Sequence, residues 1–305
     1  MNASNARYAP ALLSAALLFA AGCSGSGSGD KTGRISLGIS DHPIHDATKV
    51  CIAFTEVELK PKEGPSIMAQ PFMEETSNIN LLQFQGMNAA PLLMNYELPA
   101  GEIQWIRLAV NAVRGGTGGT GDDPMSTECQ GDASYLAMDS ETYNLYIPSG
   151  AESGLKLHGN IVVPQGGAAD FTAEIDLMKS VAYPTGLDPD VILRPTLRLV
   201  NNAEVGALTG RVDETLVVDG CDPSVFIFED DGMDVALDAA NSLTSAMVNG
   251  ELNDMDMTEY HYTIGHLLGG NYEIAFSCDD GVTLDPANGK AVTVVAGEVA
   301  EVDLP

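Results

Sequence analysis

The chain has 305 residues and is strongly acidic, with 43 acidic residues, 14 basic residues and a net charge of −29. Binding to nucleic acid or to an anionic membrane surface requires a basic face, so this charge argues against both partners. Hydrophobic residues make up 45% of the sequence, which is enough for the cores of two ordinary domains.

Residues 1–22 are predicted to form a signal peptide. An apolar stretch at residues 9–21 follows a short start that carries Arg7, and it is too short to cross a bilayer as a stable helix. Small residues then precede Cys23, a pattern that resembles a lipoprotein cleavage box. This pattern favours acylation of Cys23 over the alternative, an ordinary secretory signal followed by an incidental cysteine.

Residues 23–33 are predicted to form a flexible tether that holds the folded part of the chain away from the membrane. Residues 24–29 alternate serine and glycine, a composition that behaves as a random coil. Ser24 follows Cys23 where some lipoproteins have aspartate, and this resembles lipoproteins that are sent on to the outer membrane. The predicted location is therefore the cell envelope, lipid-anchored in the outer membrane and facing the periplasm or the cell surface.

The rest of the chain is predicted to be all-β and to form two β-sandwiches with Greek-key or prealbumin-like topology. Short segments of alternating apolar and polar residues, separated by turns with glycine or proline, are typical of such folds. The apolar positions change register after Phe54, which predicts a bulge near Thr55 and Glu56. The predicted strands are 34–40, 50–54, 57–59, 103–113, 155–163, 170–177, 191–200, 205–212, 224–228, 260–264, 271–278, 292–295 and 299–304. Short helical turns are predicted at residues 79–84 and 234–242.

A domain boundary is predicted at the polar segment 201–203. It divides the mature chain into a first domain at residues 34–202 and a second at residues 203–305. Charge also changes at this point, because the first domain holds 21 acidic and 10 basic residues whereas the smaller second domain holds 21 acidic and 2 basic residues. This asymmetry favours two separate structural units.

The four cysteines that remain after Cys23 are predicted to form disulfides. An even number of cysteines in an oxidising compartment favours disulfides, and four cysteines allow three pairings. The predicted boundary places two cysteines in each domain. The favoured pairs are Cys51–Cys129 and Cys221–Cys278. Buried free thiols are the alternative, and the lack of a Cys-x-x-Cys pair argues against a metal site.

Two histidines and two aspartates lie close together in the sequence at residues 41–46. Asp41, His42, His45 and Asp46 have side chains suited to a metal ion, and a metal-dependent enzyme centred on them is one hypothesis. The His-Pro dipeptide favours an extended or turn conformation at His42. A structural turn in which the side chain of Asp41 bonds to the backbone is therefore the preferred interpretation.

Asp176 and Lys179 are a second candidate binding pair, together with Asp41 and His42. Asp176 lies between two apolar residues of a predicted strand and so faces away from them. With Lys179, Arg194 and Arg198 nearby in the pattern, it is expected to form either a binding site or a structural ion pair. Ion pairs across sheets are common and contribute little, which favours the structural interpretation.

Acidic runs in the second domain make calcium the one cofactor that the sequence suggests. Calcium binds clustered carboxylates and carbonyls on loops, and Asp230, Asp231 and Asp234 are the best candidate ligands. The spacing does not match the EF-hand loop. A solvated acidic surface without any cofactor is the alternative.

Residues 34–202 resemble a bacterial lipoprotein family, the domain of unknown function forty-three eighty-two. The resemblance is carried in order by segments 37–43, 50–59, 79–82, 98–108, 154–157, 175–180 and 192–199. The first of these reads Leu-Gly-Ile-Ser-Asp-His-Pro, and it departs from the family at His42, where alanine is usual. The family implies a secreted β-sandwich, and it implies no established activity.

Residues 203–305 are similar to the transthyretin-like modules called carboxypeptidase-regulatory-like domains. The segments that carry this similarity are 208–212, 267–274 and 292–304. A glycine turn there precedes Tyr272, whose ring is expected to pack while its hydroxyl finds a hydrogen-bond partner. Such modules are usually accessory or structural.

The sequence predicts a non-enzymatic envelope protein that binds or scaffolds an unknown protein or glycan partner. It contains no G-x-S-x-G, H-E-x-x-H or Walker motif. A glycan- or calcium-binding adhesive module is the first alternative. Glycan sites usually present exposed aromatic rings, and Trp105 lies in a strand predicted to be buried, which makes a glycan ligand less favoured.

Overall fold

The structure is a computed structural model in which most of the chain after residue 30 is described. The described residues are 31–42, 44–45, 47–69, 78–119, 122–123, 126–138, 141–148, 153–182, 190–233, 235–253, 255 and 257–305. The predicted signal peptide, Cys23 and most of the tether lie outside them. Within the described residues, no helix is long and apolar enough to cross a membrane.

The fold is all-β, and its first part is a sandwich of two sheets built from strands β1 to β14. The strands are β1 (Thr32–His42), β2 (Lys49–Pro61), β3 (Ile67–Ala69), β4 (Asn78–Asn80), β5 (Ala90–Pro99), β6 (Gly101–Val110), β7 (Tyr135–Met138), β8 (Glu141–Tyr146), β9 (Leu155–Leu157), β10 (Ile161–Val163), β11 (Ala168–Asp176), β12 (Val181–Ala182), β13 (Asp190–Leu193) and β14 (Thr196–Asn201). A 3₁₀ turn at Leu81–Gln83 and a one-turn α-helix at Leu177–Ser180 complete this part.

The two sheets of this first sandwich, sheets I and II, enclose a single hydrophobic core. Sheet I has the strand order β14-β11-β1-β5, and β1 runs parallel to β11. Sheet II has the order β10-β6-β2-β7-β8-β13-β12, with β3 and β4 pairing β2 and β9 pairing β6. Alternate residues of β1, namely Ile35, Leu37 and Ile39, are fully buried in this core. The period-two pattern of the sequence therefore sets which face of sheet I points inward.

The bulge predicted in β2 is confirmed. The register of β2 against β6 shifts between Phe54 and Glu56. An extra residue at this point turns the strand so that the apolar residues on both sides of it face the same way. Val50, Phe54 and Val57 are accordingly all buried, although they do not share one alternation.

Strands β15 to β22 form the second sandwich. They are β15 (Val205–Val212), β16 (Ser224–Glu229), β17 (Thr244–Met247), β18 (Asn249–Leu252), β19 (Thr258–Leu268), β20 (Gly270–Ser277), β21 (Asp285–Val294) and β22 (Val299–Glu301). Sheet III has the order β18-β19-β15-β22 and sheet IV the order β17-β16-β20-β21. Short 3₁₀ turns occur at Glu214–Leu216 and Ala239–Asn241. The ring of Tyr272 is buried, and its hydroxyl donates to the carbonyl of Leu268 at 2.7 Å, as its position after the glycine turn predicts.

Both favoured disulfides are formed in the structure. Cys51 of β2 bonds to Cys129, and Cys221 before β16 bonds to Cys278 after β20. Each bond joins residues of the same sandwich.

Two predicted strands are each divided in the structure. Residues 155–163 form β9 and β10, which pair with β6 at different positions. Residues 191–200 form β13 in sheet II and β14 in sheet I, so the chain crosses between the sheets near Pro195. Proline has no N–H to donate to a ladder, and the break falls where the pattern of apolar residues alone gives no sign of it.

The predicted helical turns are shorter than expected, and several strands were missed. Residues 79–84 contain only the turn Leu81–Gln83, and residues 234–242 only the turn Ala239–Asn241. Strand β5 was missed because adjacent Leu92 and Leu93 are both buried and Asn95 has a positive φ, which breaks the alternation. The four-residue strand β7 is nearly all buried and so shows no alternation either.

Candidate functional site

The second sandwich covers the outer face of sheet I, which the sequence pattern alone would leave exposed to solvent. Along β11, Ala173 and Ile175 face the core, and Glu174 and Asp176 project from the opposite face. Glu174 is nevertheless 1% exposed and Asp176 6% exposed. Leu243 and other residues of the second sandwich lie over these carboxylates.

Several direct contacts hold the two sandwiches together. Nε2 of His45 lies 2.6 Å from the hydroxyl of Ser224, and Nζ of Lys179 donates to the carbonyl oxygen of Ser242. Met178, in the one-turn helix after β11, packs on a small apolar cluster around Phe226 on sheet IV. These contacts combine polar anchors with apolar packing.

Charged side chains converge at the end of sheet I, beneath this interface. Strand register places His42 beside Asp176 and Glu174 beside Arg198. We call the group the buried polar cluster. Its members are Asp41, His42, Glu174, Asp176, Lys179 and Arg198.

Most members of the buried polar cluster have an opposite charge as a partner. Nε of Arg198 pairs with the carboxylate of Glu174, and Nζ of Lys179 lies 3.4 Å from Oδ2 of Asp176. Oδ1 of Asp176 also accepts from the backbone N–H of Lys179 at 3.1 Å, which caps the one-turn helix. The ion pair that the sequence suggested between Asp176 and Lys179 is thus present.

Asp41 is the exception. The sequence favours a turn here, but β1 continues through Asp41 to His42, and the carboxylate of Asp41 is only 1% exposed. Neither of its oxygen atoms has a hydrogen-bond partner among the described residues. Burial raises the pKa of Asp41 well above the ordinary value, and the charge of Asp176 raises it further. The nearby backbone N–H of His42 lowers this pKa, although it is not placed to form a hydrogen bond with either oxygen.

Burial also shifts the pKa values of Glu174 and His42, and that of His266, which is not a member of the cluster. Burial raises the pKa of Glu174 to about 7, although Arg198 opposes the rise. Burial and the charge of Arg198 lower the pKa of His42 well below its ordinary value, and the same two causes lower that of His266 to about 4. Both imidazoles are therefore neutral at pH 7.

The metal centre considered for residues 41–46 is not assembled by the described residues. Nε2 of His42 lies 3.8 Å from Oε1 of Glu174, whereas Nε2 of His45 contacts Ser224 on the second sandwich. Asp46 lies outside the described residues. Within the described part of the chain, no group of three or more His, Cys, Asp and Glu side chains is placed to hold a metal ion.

The candidate calcium ligands lie in an exposed turn after β16. Oδ1 of Asp230 accepts from the N–H of Gly232, and Oδ1 of Asp231 accepts from the N–H of Met233, both at 2.8 Å. Asp234 lies outside the described residues. Calcium binding at this turn stays a prediction.

A cleft of about 310 Å³ opens between the two sandwiches beside the buried polar cluster. Its walls are the end of β1, the turn at residues 85–88, strands β17 and β18, and residues 261–263 of β19. Asp41 and His42 lie on the first-sandwich side, and Glu251 on the second-sandwich side. His42 also borders a smaller cavity of about 170 Å³ that reaches Glu174 and Arg198. This junction is the candidate functional site.

The sequence pattern predicts only part of this site. It singled out Asp41, His42, Asp176 and Lys179, and these converge, whereas His45 contributes to the interface and not to the cluster. It missed Glu174, because a charged residue at an alternating position of a strand normally marks a solvated face. Its burial depends on a second sandwich whose position the local sequence does not encode.

The family model described as "Domain of unknown function (DUF4382)" matches residues 32–195, which is more than half of the chain. The chain belongs to this family. The DUF4382 match includes Asp41, His42, Glu174 and Asp176, and it ends before Arg198 and the second sandwich. The similarity of residues 203–305 to carboxypeptidase-regulatory-like modules therefore stays a prediction.

Comparison with solved structures gives weak matches to this DUF4382 protein. The TIE protein of Bacillus anthracis matches at 12% identity and a TM-score of 0.18, covering 89% of this chain and 34% of that one, so the chain spans about a third of that protein. A minor pilin of Streptococcus agalactiae matches at 8% identity and a TM-score of 0.18, with 88% and 94% covered. The fimbrial anchor protein of Porphyromonas gingivalis matches at 12% identity and a TM-score of 0.15, with 87% and 82% covered. No curated protein matches the sequence. TM-scores this low transfer no function.

Proposed function

We propose that this protein is a non-enzymatic component of the cell envelope, exported and anchored by acyl chains on Cys23, which binds or scaffolds a partner outside the cytoplasm. The observation that carries the proposal is the pair of disulfides, Cys51–Cys129 and Cys221–Cys278. Disulfides persist in oxidising compartments and are rare in the cytosol. The apolar leader that ends at Cys23 supplies the route of export.

The junction of the two sandwiches supports binding over catalysis. The buried acids Glu174 and Asp176 have Arg198 and Lys179 as partners, which makes them structural groups in this fold. Concave sites at the boundary of two structural units are common places for ligands. The cleft beside Asp41 is such a place.

One arrangement in the described residues resembles a nucleophile and its base, and its geometry argues against catalysis. The hydroxyl of Ser224 contacts Nε2 of His45, and Oδ1 of Asp280 lies 4.0 Å away. Asp280 approaches the same ring nitrogen, Nε2, that contacts Ser224, whereas an orienting carboxylate would bind Nδ1. Ser224 is also only 1% exposed, so a substrate has no access to it.

The location in the outer membrane and the identity of the partner belong to this proposal as well. Ser24 after Cys23 supports transfer to the outer membrane, and the net charge of −29 argues against nucleic acid as a partner. Trp105 is half-buried, and Nζ of Lys156 lies 4.0 Å above its ring. That ring face is already in contact, which weighs against Trp105 as a stacking platform for a glycan.

Metabolic labelling with a fatty acid tests the anchor. The wild-type protein is expected to take up label, and Cys23→Ala is expected to lose it completely, because Cys23 is the residue proposed to carry the acyl chains. Ser24→Ala is the matched control and should keep the label. Equal labelling of wild type and Cys23→Ala would remove lipid anchoring from the proposal.

A further inference from the structure

We propose that the cleft between the two sandwiches binds a small aliphatic amine in its protonated form, with the carboxylate of Asp41 as its counter-ion. The inference deepens the binding role proposed above and rests on it. It names the chemical class of a ligand for a site that lies outside every ion pair described so far.

Asp41 is a buried carboxylate whose oxygens lack a donor. It is 1% exposed, and neither oxygen has a hydrogen-bond partner among the described residues. A buried acceptor without a donor is costly in free energy, and a buried charge without a partner more so. A ligand that brings N–H donors and a positive charge would remove both costs at once.

The neighbouring cations do not serve Asp41. Arg198 is paired with Glu174, and Lys179 is held between the carboxylate of Asp176 and the carbonyl of Ser242. The charges that act most strongly on Asp41 are the carboxylates of Asp176 and Glu174, which repel a second negative charge. The field at Asp41 therefore favours a cation and disfavours an anion.

The composition of the cleft supports the same class of ligand. Asp41 and Glu251 line it from the two sandwiches, and among the described residues that line it there is neither lysine nor arginine. His42 is neutral at pH 7. His261 lines the cleft, and its Nε2 lies 3.5 Å from the carboxylate of Glu259, which does not line it. The described lining thus has no lysine or arginine to compensate Asp41, and a bound ammonium group would oppose the rise in its pKa and favour the carboxylate form.

The remaining lining fits an alkyl chain with polar ends. Met87 and Met247 supply flexible apolar contacts, and Asn88 and Asn249 supply amide groups. A volume of about 310 Å³ accommodates a small molecule and not a folded partner. An aliphatic diamine matches two carboxylates separated by apolar side chains.

Isothermal titration and thermal melting of the purified protein with 1,5-diaminopentane test the proposal at pH 7.5 and constant ionic strength. The diamine is expected to bind saturably and to raise the melting temperature, since it binds the native state. The isosteric probes 1,5-pentanediol and glutarate are expected to do neither. Saturable binding of the diol or the diacid with equal affinity would overturn the proposal, as would no binding of the diamine.

Isosteric variants separate the site from general attraction to an acidic protein. Asp41→Asn is expected to weaken diamine binding at least tenfold. Asp190→Asn is the matched control, because Asp190 is a buried carboxylate outside the cleft lining that accepts from Gly115 and Asn144 and loses the same charge. Equal weakening in both variants, or unchanged binding in Asp41→Asn, would contradict the assignment.

A second variant keeps the test decisive if Asp41→Asn fails to fold. Asn249→Trp places a large ring at the exposed rim of the cleft and leaves Asp41 in place. It is expected to abolish binding while circular dichroism stays unchanged, and retained binding would overturn the proposal. Fatty-acid labelling of Cys23 does not depend on the cleft, so failure of this inference is distinguishable from failure of the proposed function.

Discussion

Burial of Glu174 illustrates how one residue changes character when a second structural unit covers it. The strand pattern assigns its side chain to the outer face of sheet I, and the second sandwich then reduces its exposure to 1%. Pairing with Arg198 offsets part of the free-energy cost of burying this carboxylate, but the pKa of Glu174 still rises to about 7 because burial is the larger effect. Protonation of Glu174 near neutral pH is therefore linked to the packing of the two sandwiches.

Glu174→Gln is expected to change how stability depends on pH. The pKa of Glu174 in the folded chain, about 7, exceeds its ordinary value of 4.5, so the folded state holds the proton more tightly. The contribution of this tighter proton binding to the free energy of unfolding is complete below pH 4.5 and is lost as the pH rises to 7. Across that range, the free energy of unfolding of the wild type should fall by about 3 kcal/mol relative to that of Glu174→Gln, as measured by urea unfolding.

Two comparisons isolate this effect. The lowered pKa of His266 acts in the opposite sense, since the stability it contributes is lost as the pH falls from 6.5 to about 4. This contribution is present in both wild type and variant, so it cancels in the difference between their free energies of unfolding. Glu97→Gln, at an exposed position of β5, is the control for the removal of one carboxylate. A flat difference for Glu174→Gln would show that its carboxyl group is not linked to folding.

At the scale of the elements, the disulfide Cys221–Cys278 ties the start of β16 to the end of β20 in sheet IV. It closes a segment with a sequence separation of 57 residues. Replacing both cysteines by serine is expected to lower the free energy of unfolding by roughly 2–4 kcal/mol, because the unfolded chain gains conformational freedom. Denaturant unfolding measures the loss.

Reductant provides the control for the disulfide variant. Wild-type protein treated with reductant should lose at least as much stability as the double serine variant, since both of its disulfides open. The same free energy of unfolding for the oxidised wild type and the double serine variant would mean that this bond adds no stability.

Patterns of apolar residues predicted the elements whose two faces differ in environment. Strand β2 was found together with its bulge, because Phe54 and Val57 both face the core and Thr55 and Glu56 between them do not. Strand β7 has nearly every residue buried, and a strand buried on both faces has no alternation to detect. Local pattern also cannot show that β13 and β14 belong to different sheets, since apolar residues are suited to either.

The candidate site was predictable only as far as single segments define it. The pair Asp176 and Lys179 is three residues apart, so its contact follows from local geometry. The contact of Glu251 and Asp41 with a common cleft joins residues far apart in the sequence, on different sandwiches. Such a juxtaposition depends on how the two units pack, which needs the tertiary structure.

For the whole molecule, close packing of backbone against backbone fixes the relation of the two sandwiches. Gly265 of β19 lies against Gly86, in a turn of the first sandwich, and a β-carbon at Gly265 would overlap with the carbonyl oxygen of Gly86. A side chain there requires the backbone of one sandwich to shift at this contact. The walls of the cleft are set by the same contact, because Gly86 is one of its lining residues.

Gly265→Ala is expected to lower the free energy of unfolding by about 1–3 kcal/mol, the usual cost of overpacking. Hydrogen exchange should accelerate at the interface residues of both sandwiches, which the separation exposes. Gly269→Ala is the matched control, because its β-carbon would meet its nearest neighbours at 3.6 Å, an ordinary contact distance. Equal stability of the two variants would show that the sandwiches are not held by this contact.

The course of β1 places Asp41 at the end of the strand that is far from the tether. The tether enters this strand at Thr32, and Asp41 lies near its other end, roughly 30 Å further on at the rise of an extended chain. With the proposed acyl chains of Cys23 in the bilayer, the cleft would lie at the end of β1 away from the point of attachment, in whatever direction the flexible tether lets the body point. Solutes arriving from the aqueous side would then reach Asp41 without passing the headgroups.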